Sequence, residues 1–311
     1  MTRTVVAQGY GGPEVLAVVE TELDEPQDGQ VTVEIRAVGV NPIDYKLYSG
    51  AFGTDDARLP MRLGGEASGV VVAVAGEPMG PAGPIAVGDE VIVQADGAYA
   101  GRLVVDTDAV LPKPASLSWE EAAGYALTAG TAYDIVELAG VGEGDCVLVH
   151  GASGAVGSQT VQLALHRGAQ VIGTANRRNL DAVRDLGAVA VEYGDGLLER
   201  VRNATPDGVD VALDTVGTDE AVDVSLALVE DRSRVVTIAA FGRAADEGFP
   251  SVGGGDPESA KRRREGRLPM LELAGSVITV TIAGSYPLAD AAEAHRTLQT
   301  NHPRGKYVLI P

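Results

Sequence analysis

Cys146-Val147-Leu148-Val149-His150-Gly151-Ala152-Ser153-Gly154-Ala155-Val156-Gly157 is the stretch from which the fold can be read. Its first five residues form a short aliphatic run, the pattern of a buried strand. The glycines then recur as G-x-x-G-x-x-G, and a helix over 156–167 starts inside the repeat. Gly151 permits a tight turn, Gly154 a close approach of backbone to a ligand, and Gly157 close packing of helix on strand. A helix N-terminus adds free N–H groups and the positive end of a dipole. Strand, glycine turn and helix in this order describe a dinucleotide site, with the pyrophosphate on Gly151, Ser153, Gly154, Ala155, Val156 and Gly157. The bland alternative is a glycine-rich strand–helix turn that holds nothing.

Outward from this loop, strands and helices alternate. Strands are expected at 170–174, 209–214 and 234–238, and helices at 179–186 and 220–229. That rhythm predicts a doubly wound parallel sheet with helices on both faces. Residues 1–117 have another texture. Residues 31–38 alternate apolar and polar, 70–74 and 90–93 are short aliphatic runs, and Gly, Pro and Asp clusters separate them. This spacing suggests a barrel or sandwich. Ser118, with Glu121 three residues on, reads as a capping box opening a helix. Beyond the parallel sheet, 242–258 reads as a loop, 258–273 as a helix, 277–282 as a strand, 288–298 as a helix and 306–310 as a closing strand. The tail is again β-rich and is expected to rejoin the first domain. The chain is thus an α/β protein with one domain over 1–117, completed by 256–311, and a dinucleotide-binding domain over 118–255.

The strand after the glycine turn ends Gly173-Thr174-Ala175-Asn176-Arg177-Arg178. A carboxylate there would grip the ribose of NAD. Instead there are two guanidinium groups and the polar side chains of Thr174 and Asn176. Arginine binds phosphate as a charged fork, so the extra 2′-phosphate of NADPH suits this pocket. The alternative is that Arg177 and Arg178 merely cap a helix.

Composition narrows the partners. In 311 residues, 24 basic side chains stand against 44 acidic ones, a net charge of −20. Such a surface repels nucleic acid and anionic membranes. A backbone-built anion site needs no basic surface, so the dinucleotide reading survives. With one cysteine, Cys146, neither an internal disulfide nor a cysteine-rich zinc site is available. No signal sequence or membrane span is read, and a cytoplasmic location is expected.

Further stretches carry a resemblance: Asn41-Pro42-Ile43-Asp44, Gly64-Gly65-Glu66-Ala67-Ser68-Gly69, Thr128-Ala129-Gly130-Thr131-Ala132, Asp210 to Gly217, and Gly305-Lys306-Tyr307-Val308-Leu309. In this order, over nearly the whole chain, they resemble the medium-chain dehydrogenase/reductase superfamily. The particular likeness is to its zinc-free quinone oxidoreductase branch, with the ζ-crystallin-like proteins. The resemblance implies a GroES-like β-barrel catalytic domain, a Rossmann domain and frequent homodimers. Asn41, Pro42 and Gly64-Gly65-Glu66 stand where the zinc-dependent relatives show ligands. His150, His166, His295 and His302 lack ligand spacing, so no metal is expected.

Without a metal, hydride transfer suits acceptors that are already electrophilic, namely quinones and α,β-unsaturated carbonyls. The resemblance gives Asn41 a hydrogen bond to the acceptor carbonyl and makes Tyr45 a candidate proton donor. It places Thr128 and Thr131, Tyr193, Ala239, Phe241, Gly253 and Gly254 along the cofactor. Asp44 and Lys46 read as structural or solvated. The basic run Lys261-Arg262-Arg263-Arg264 reads as a solvated helix face or as an anchor for an anionic substrate tail. Cys146 reads as a buried apolar filler and His150 as structural. Two alternatives stay open: an enoyl-thioester or polyketide enone reductase, and an NADPH-binding redox sensor or structural protein without turnover.

Overall fold

Strand Gln30–Val40 (β3) is the spine of the first unit. Val31, Val33, Ile35 and Val38 are fully buried along it. In the computed structural model, which describes residues 1–253, 255–300 and 304–311, the chain forms two compact units. One is Met1–Leu127 with Val280–Pro311, the other Thr128–Thr279.

The first unit opens with the antiparallel pair Thr2–Ala7 (β1) and Leu16–Thr21 (β2). After β3 comes helix Pro42–Tyr48 (α1), then strands Ala67–Val74 (β4), Glu90–Val93 (β5), Arg102–Asp106 (β6) and Val110–Pro112 (β7), and helix Trp119–Ala123 (α2). β4 and β6 both pair antiparallel with β3. Capping holds α2 as its sequence predicts: Ser118 N–H donates to Glu121 Oε2 at 2.8 Å and Glu121 N–H to Ser118 Oγ at 3.2 Å. Asn41-Pro42 by itself suits a turn as well as a helix start. The stretch 42–48 is a helix because Asn41 stands at the N-cap, Pro42 fixes φ in the first turn, and the Asn41 N–H donates to Asp44 Oδ2 at 2.8 Å.

The second unit starts within helix Ala126–Leu138 (α3). Strands Cys146–His150 (β8), Gln170–Ala175 (β9), Val189–Glu192 (β10), Val211–Asp214 (β11) and Val235–Thr237 (β12) alternate with helices Ala155–His166 (α4), Leu180–Asp185 (α5), Leu197–Ala204 (α6) and Asp219–Leu228 (α7). The sheet is parallel, with spatial order β10-β9-β8-β11-β12, so the winding reverses between β8 and β11. Ligands of such sheets bind at the carboxyl ends of strands beside that reversal. The register aligns His150 with Thr174 and Asp214, and Asp214 with Thr237. Four buried polar residues thus lie at or next to the carboxyl ends of four neighbouring strands.

Two sequence expectations fail here. Residues 242–258 are not all loop, since Phe241–Glu247 (α8) is helical and ends at Gly248 in the left-handed region, φ 74°. The helix Pro257–Leu273 (α9) belongs to the second unit, because its Ser259, Arg262 and Arg263 side chains bond Asp134 of α3. The division therefore falls at 127/128 and 279/280, where the sequence suggested 117/118 and 255/256.

The strand expected at 277–282 begins only at Ile282, as Ile282–Pro287 (β13). Helix Ala291–Thr300 (α10) and strand Lys306–Ile310 (β14) complete the first unit. β13 pairs parallel with β14, and β14 antiparallel with β3, giving the path β7-β5-β4-β3-β14-β13. Tyr307 lies opposite Val40, so Lys306 comes opposite Asn41. Among the described residues no helix is long and apolar enough to cross a membrane.

Candidate functional site

β8 delivers the chain into the glycine turn. Gly151 sits at φ 75°, which a larger residue would occupy only under strain. A Cβ on Gly157 would lie 2.1 Å from the Gly151 carbonyl oxygen, so any side chain there would force the turn open. Ala152 N–H donates to Thr174 O and Gly154 N–H to Gly151 O, both at 2.9 Å. Gly154 is the N-cap of α4 and offers no side-chain cap. The first-turn N–H groups of Ala155, Val156 and Gly157 have no carbonyl four residues back inside the helix, which leaves them to an anion.

The walls of the turn are fixed by side chains. Ser153 Oγ accepts from Asn179 Nδ2 at 3.2 Å, and Asn176 Oδ1 accepts from the Asn179 N–H at 3.0 Å. Thr174 Oγ1 lies 3.2 Å from His150 Nδ1. His150 Nε2 is buried with no hydrogen-bond partner among the described residues. Burial pushes the His150 pKa down to about 4, so its ring is neutral at pH 7. Beside it, Asp214 Oδ1 accepts the N–H groups of Val216 and Gly217, and Oδ2 the Thr237 hydroxyl. Thr237 Oγ1 in turn accepts the N–H groups of Ala239 and Ala240, which sets the turn leading to Phe241. Phe241 is partly exposed.

Past the end of β9, Arg177 and Arg178 are exposed and form no ion pair with the described residues. Next to them, the Tyr193 N–H donates to Ala175 O at 3.2 Å, and the Tyr193 ring is exposed. Arg200, which the sequence reading passed over, fixes this turn: its guanidinium donates to the carbonyls of Glu192, Gly194 and Asp195 at 2.7–2.9 Å. A basic side chain bonding three consecutive-turn carbonyls leaves no sequence pattern to find.

Elsewhere in this unit, Thr128 and Thr131 are buried in α3. Gly253, at φ 98°, donates its N–H to Ser259 Oγ at 2.9 Å. Gly254 and His302 lie outside the described residues. The basic run is divided: Lys261 and Arg264 are exposed, while its two middle arginines are tied down. Arg262 and Arg263 donate from Nε to Asp134 at 2.6 and 3.0 Å, and the Asp134 side chain is fully buried. Cys146 is half-buried rather than buried, and burial together with Asp210 raises its thiol pKa.

The first unit holds a second polar cluster. Asn41 is buried, and its amide is fully oriented. Nδ2 donates to Glu66 Oε1 at 3.0 Å, while Oδ1 accepts from Lys306 Nζ. Lys306 Nζ also pairs with Glu66 Oε1 at 2.6 Å. Adjacent to this triad, Asp44 Oδ2 accepts the Tyr99 hydroxyl at 3.0 Å, and His295 bridges Tyr99 (Nε2, 2.8 Å) and Tyr48 (Nδ1, 2.7 Å). With the Tyr99 proton directed at Asp44, hydrogen counting puts the His295 proton on Nε2, and Tyr48 then donates to Nδ1.

Burial drives the titrations in this cluster. It raises the Asp44 pKa to about 7, lowers that of His295 to about 4, and raises those of Tyr99 and Tyr48. Asp44 is therefore structural rather than solvated, the first of the two roles expected for it. Tyr45 is half-buried and packs edge-on against His295 at 6.4 Å; burial raises its pKa, which keeps the hydroxyl protonated. Local sequence does not single out Lys306 or Glu66 as members of a site. The one signal available was a lysine opening the otherwise apolar strand Lys306–Ile310.

Comparison with known proteins supports both units. Residues 27–115 match the family described as alcohol dehydrogenase GroES-like domain, and 155–252 that described as zinc-binding dehydrogenase. The chain is 31% identical over 317 residues to the 2-methylene-furan-3-one reductase of Solanum lycopersicum, spanning 97% of this chain and 77% of that one. It is 30% identical over 322 residues to the chloroplastic NADPH-dependent alkenal/one oxidoreductase of Arabidopsis thaliana, spanning 98% and 78%. The crystal structure of Escherichia coli quinone oxidoreductase complexed with NADPH matches with a TM-score of 0.85 and 30% identity, covering 100% of both chains.

One of the two family descriptions names zinc. Among the described residues no group of three or more His, Cys, Asp or Glu side chains is gathered to hold a metal ion. Cys146, the lone thiol, is backed by Asp210 and Asp207, not by a histidine. This donor set does not fit zinc.

Proposed function

The chain belongs to the medium-chain dehydrogenase/reductase superfamily, and on that footing we propose that it is an NADPH-dependent oxidoreductase that passes hydride to a quinone or an α,β-unsaturated carbonyl without a metal. The observation that carries this reading is the uncapped first turn of α4 behind a glycine turn with no room for a side chain. A diphosphate fits it through backbone N–H groups alone, which is how a chain of net charge −20 holds an anion. Arg177 and Arg178 take the 2′-phosphate as charged donors, and Tyr193 flanks it.

NADPH, when bound, supplies a hydride from its dihydronicotinamide ring. The protein's part is to bind, orient and exclude water. Thr128, Ala239, Phe241, Gly253 and Gly254 are assigned to the cofactor. Asn41 donates to the acceptor oxygen, where negative charge develops. A hydroquinone anion is a weak base and needs no dedicated acid, whereas an enolate does; Tyr45 is assigned that proton. The tie of Arg262 and Arg263 to Asp134 leaves only Lys261 and Arg264 of that run to anchor a thioester tail. A cytoplasmic setting and a homodimeric state complete the reading.

The test is loss of absorbance near 340 nm when NADPH meets quinones, enals and enoyl-thioesters in turn. Turnover of quinones or enals ahead of thioesters supports the proposal. Binding of NADPH with no turnover of any acceptor would make the protein a binder and defeat it.

A further inference from the structure

Lys306 and Glu66 form an ion pair whose side chains are 3% and 0% exposed. Buried pairs of this kind add little net stability, because two charges must leave water. The surrounding backbone is nevertheless shaped to admit them. A Cβ on Gly39 would lie 2.6 Å from Glu66 Oε1, and one on Gly124 would lie 2.8 Å from Lys306 Cγ. Glu66 Oε2 is further fixed by the Leu127 N–H at 2.9 Å.

Asn41 lies between the two charges, with its carbonyl on the ammonium and its NH2 on the carboxylate. A flipped amide would set oxygen against carboxylate and N–H against ammonium. The two charges therefore permit one orientation, in which one N–H is held by Glu66 and the other keeps a fixed direction.

We propose that Lys306 and Glu66 are positioning residues that make Asn41 a hydrogen-bond donor of fixed direction toward the oxygen of the acceptor. This rests on the assignment of Asn41 to the acceptor. An amide free to flip offers either a donor or an acceptor. An amide held between Lys306 and Glu66 offers only an N–H, aimed at the oxygen on which negative charge develops.

Lys306→Met alone would strand the Glu66 charge, so the test uses Lys306→Met with Glu66→Gln, which removes both charges and keeps an oxygen for Leu127. Acceptor kcat/KM is measured for the wild type, Asn41→Ala, the paired variant and the triple variant, with the NADPH dissociation constant alongside. The expected result is about a tenfold loss for Asn41→Ala and a similar loss for the paired variant, of the size of one hydrogen bond. In the Asn41→Ala background the pair should cost less than twofold, and NADPH affinity should hold within twofold throughout.

A full additional tenfold loss in the Asn41→Ala background, or no loss in the wild-type background, overturns the positioning role. NMR of the Asn41 side-chain amide gives a readout independent of turnover. A Glu66-bonded proton shielded from solvent exchange in the wild type, and exchanging freely in the paired variant, supports the proposal. A freely exchanging wild-type amide sinks it even if the enzyme is active. A shielded amide in a protein that reduces no acceptor would instead overturn the functional reading.

Discussion

Asp44 offers a perturbation whose size can be worked out in advance. Burial raises its pKa from 3.8 to about 7, and the Asn41 N–H, the Tyr99 hydroxyl and Lys306 only partly oppose the shift. The folded carboxyl thus holds its proton over a range where the unfolded one has lost it. Between these two values the native state binds more protons, so stability is full below 3.8 and falls as pH rises toward 7. The whole shift corresponds to about 4 kcal/mol at 1.36 kcal/mol per unit. Asp44→Asn removes the titration and keeps an oxygen for Asn41 and Tyr99. Its advantage over the wild type should be about 2 kcal/mol larger at pH 8.5 than at pH 5.5. Urea denaturation of both proteins at the two pH values reads this directly. An advantage that stays constant within about 0.5 kcal/mol would show that Asp44 does not carry the raised titration, and the reasoning from burial would fail.

Other expectations concern the cofactor and the acceptor. Arg177→Ala with Arg178→Ala should weaken NADPH by roughly 10–100-fold and leave NADH within twofold, since charge-assisted bonds to one phosphate are lost. Equal loss for both coenzymes in a binding titration would remove the pair from the 2′-phosphate. Tyr45→Phe should slow enal reduction about tenfold and quinone reduction less than threefold, as measured by kcat. Identical slowing of both would deny Tyr45 the proton. Asp134→Ala strands two guanidiniums, of which Arg262 is 20% and Arg263 32% exposed in their side chains. The unfolding free energy should fall by about 3 kcal/mol, and an unchanged denaturation midpoint would mean those pairs are idle.

The parallel sheet was legible because strands and helices alternate along one continuous stretch, and its ligand because a strand runs into G-x-x-G-x-x-G and a helix. Ser118 and Glu121 were legible too, since a capping box lies within four residues. Helix α8 was not, because Gly242 and its acidic neighbours mimic a loop, while Ala244 and Phe249 bury only once the sheet is assembled. The α1 start signal, Asn41 then Pro42, serves a turn equally well, and only the Asp44 side chain bonding back decides between them. Lys306 and Glu66 are 240 residues apart, and Asp134 and Arg262 are 128 apart. Such pairs follow from which strand returns beside which, and no periodicity in one sequence reports that.

A calorimetric titration with NADPH, on the wild type and on Gly157→Val, tests the central claim most directly. The wild type should saturate with one coenzyme per chain. The variant, whose added side chain starts 2.1 Å from the Gly151 oxygen, should remain folded by circular dichroism and bind far more weakly. A folded wild type that takes up no coenzyme, or a variant that binds as well as the wild type, would contradict the account.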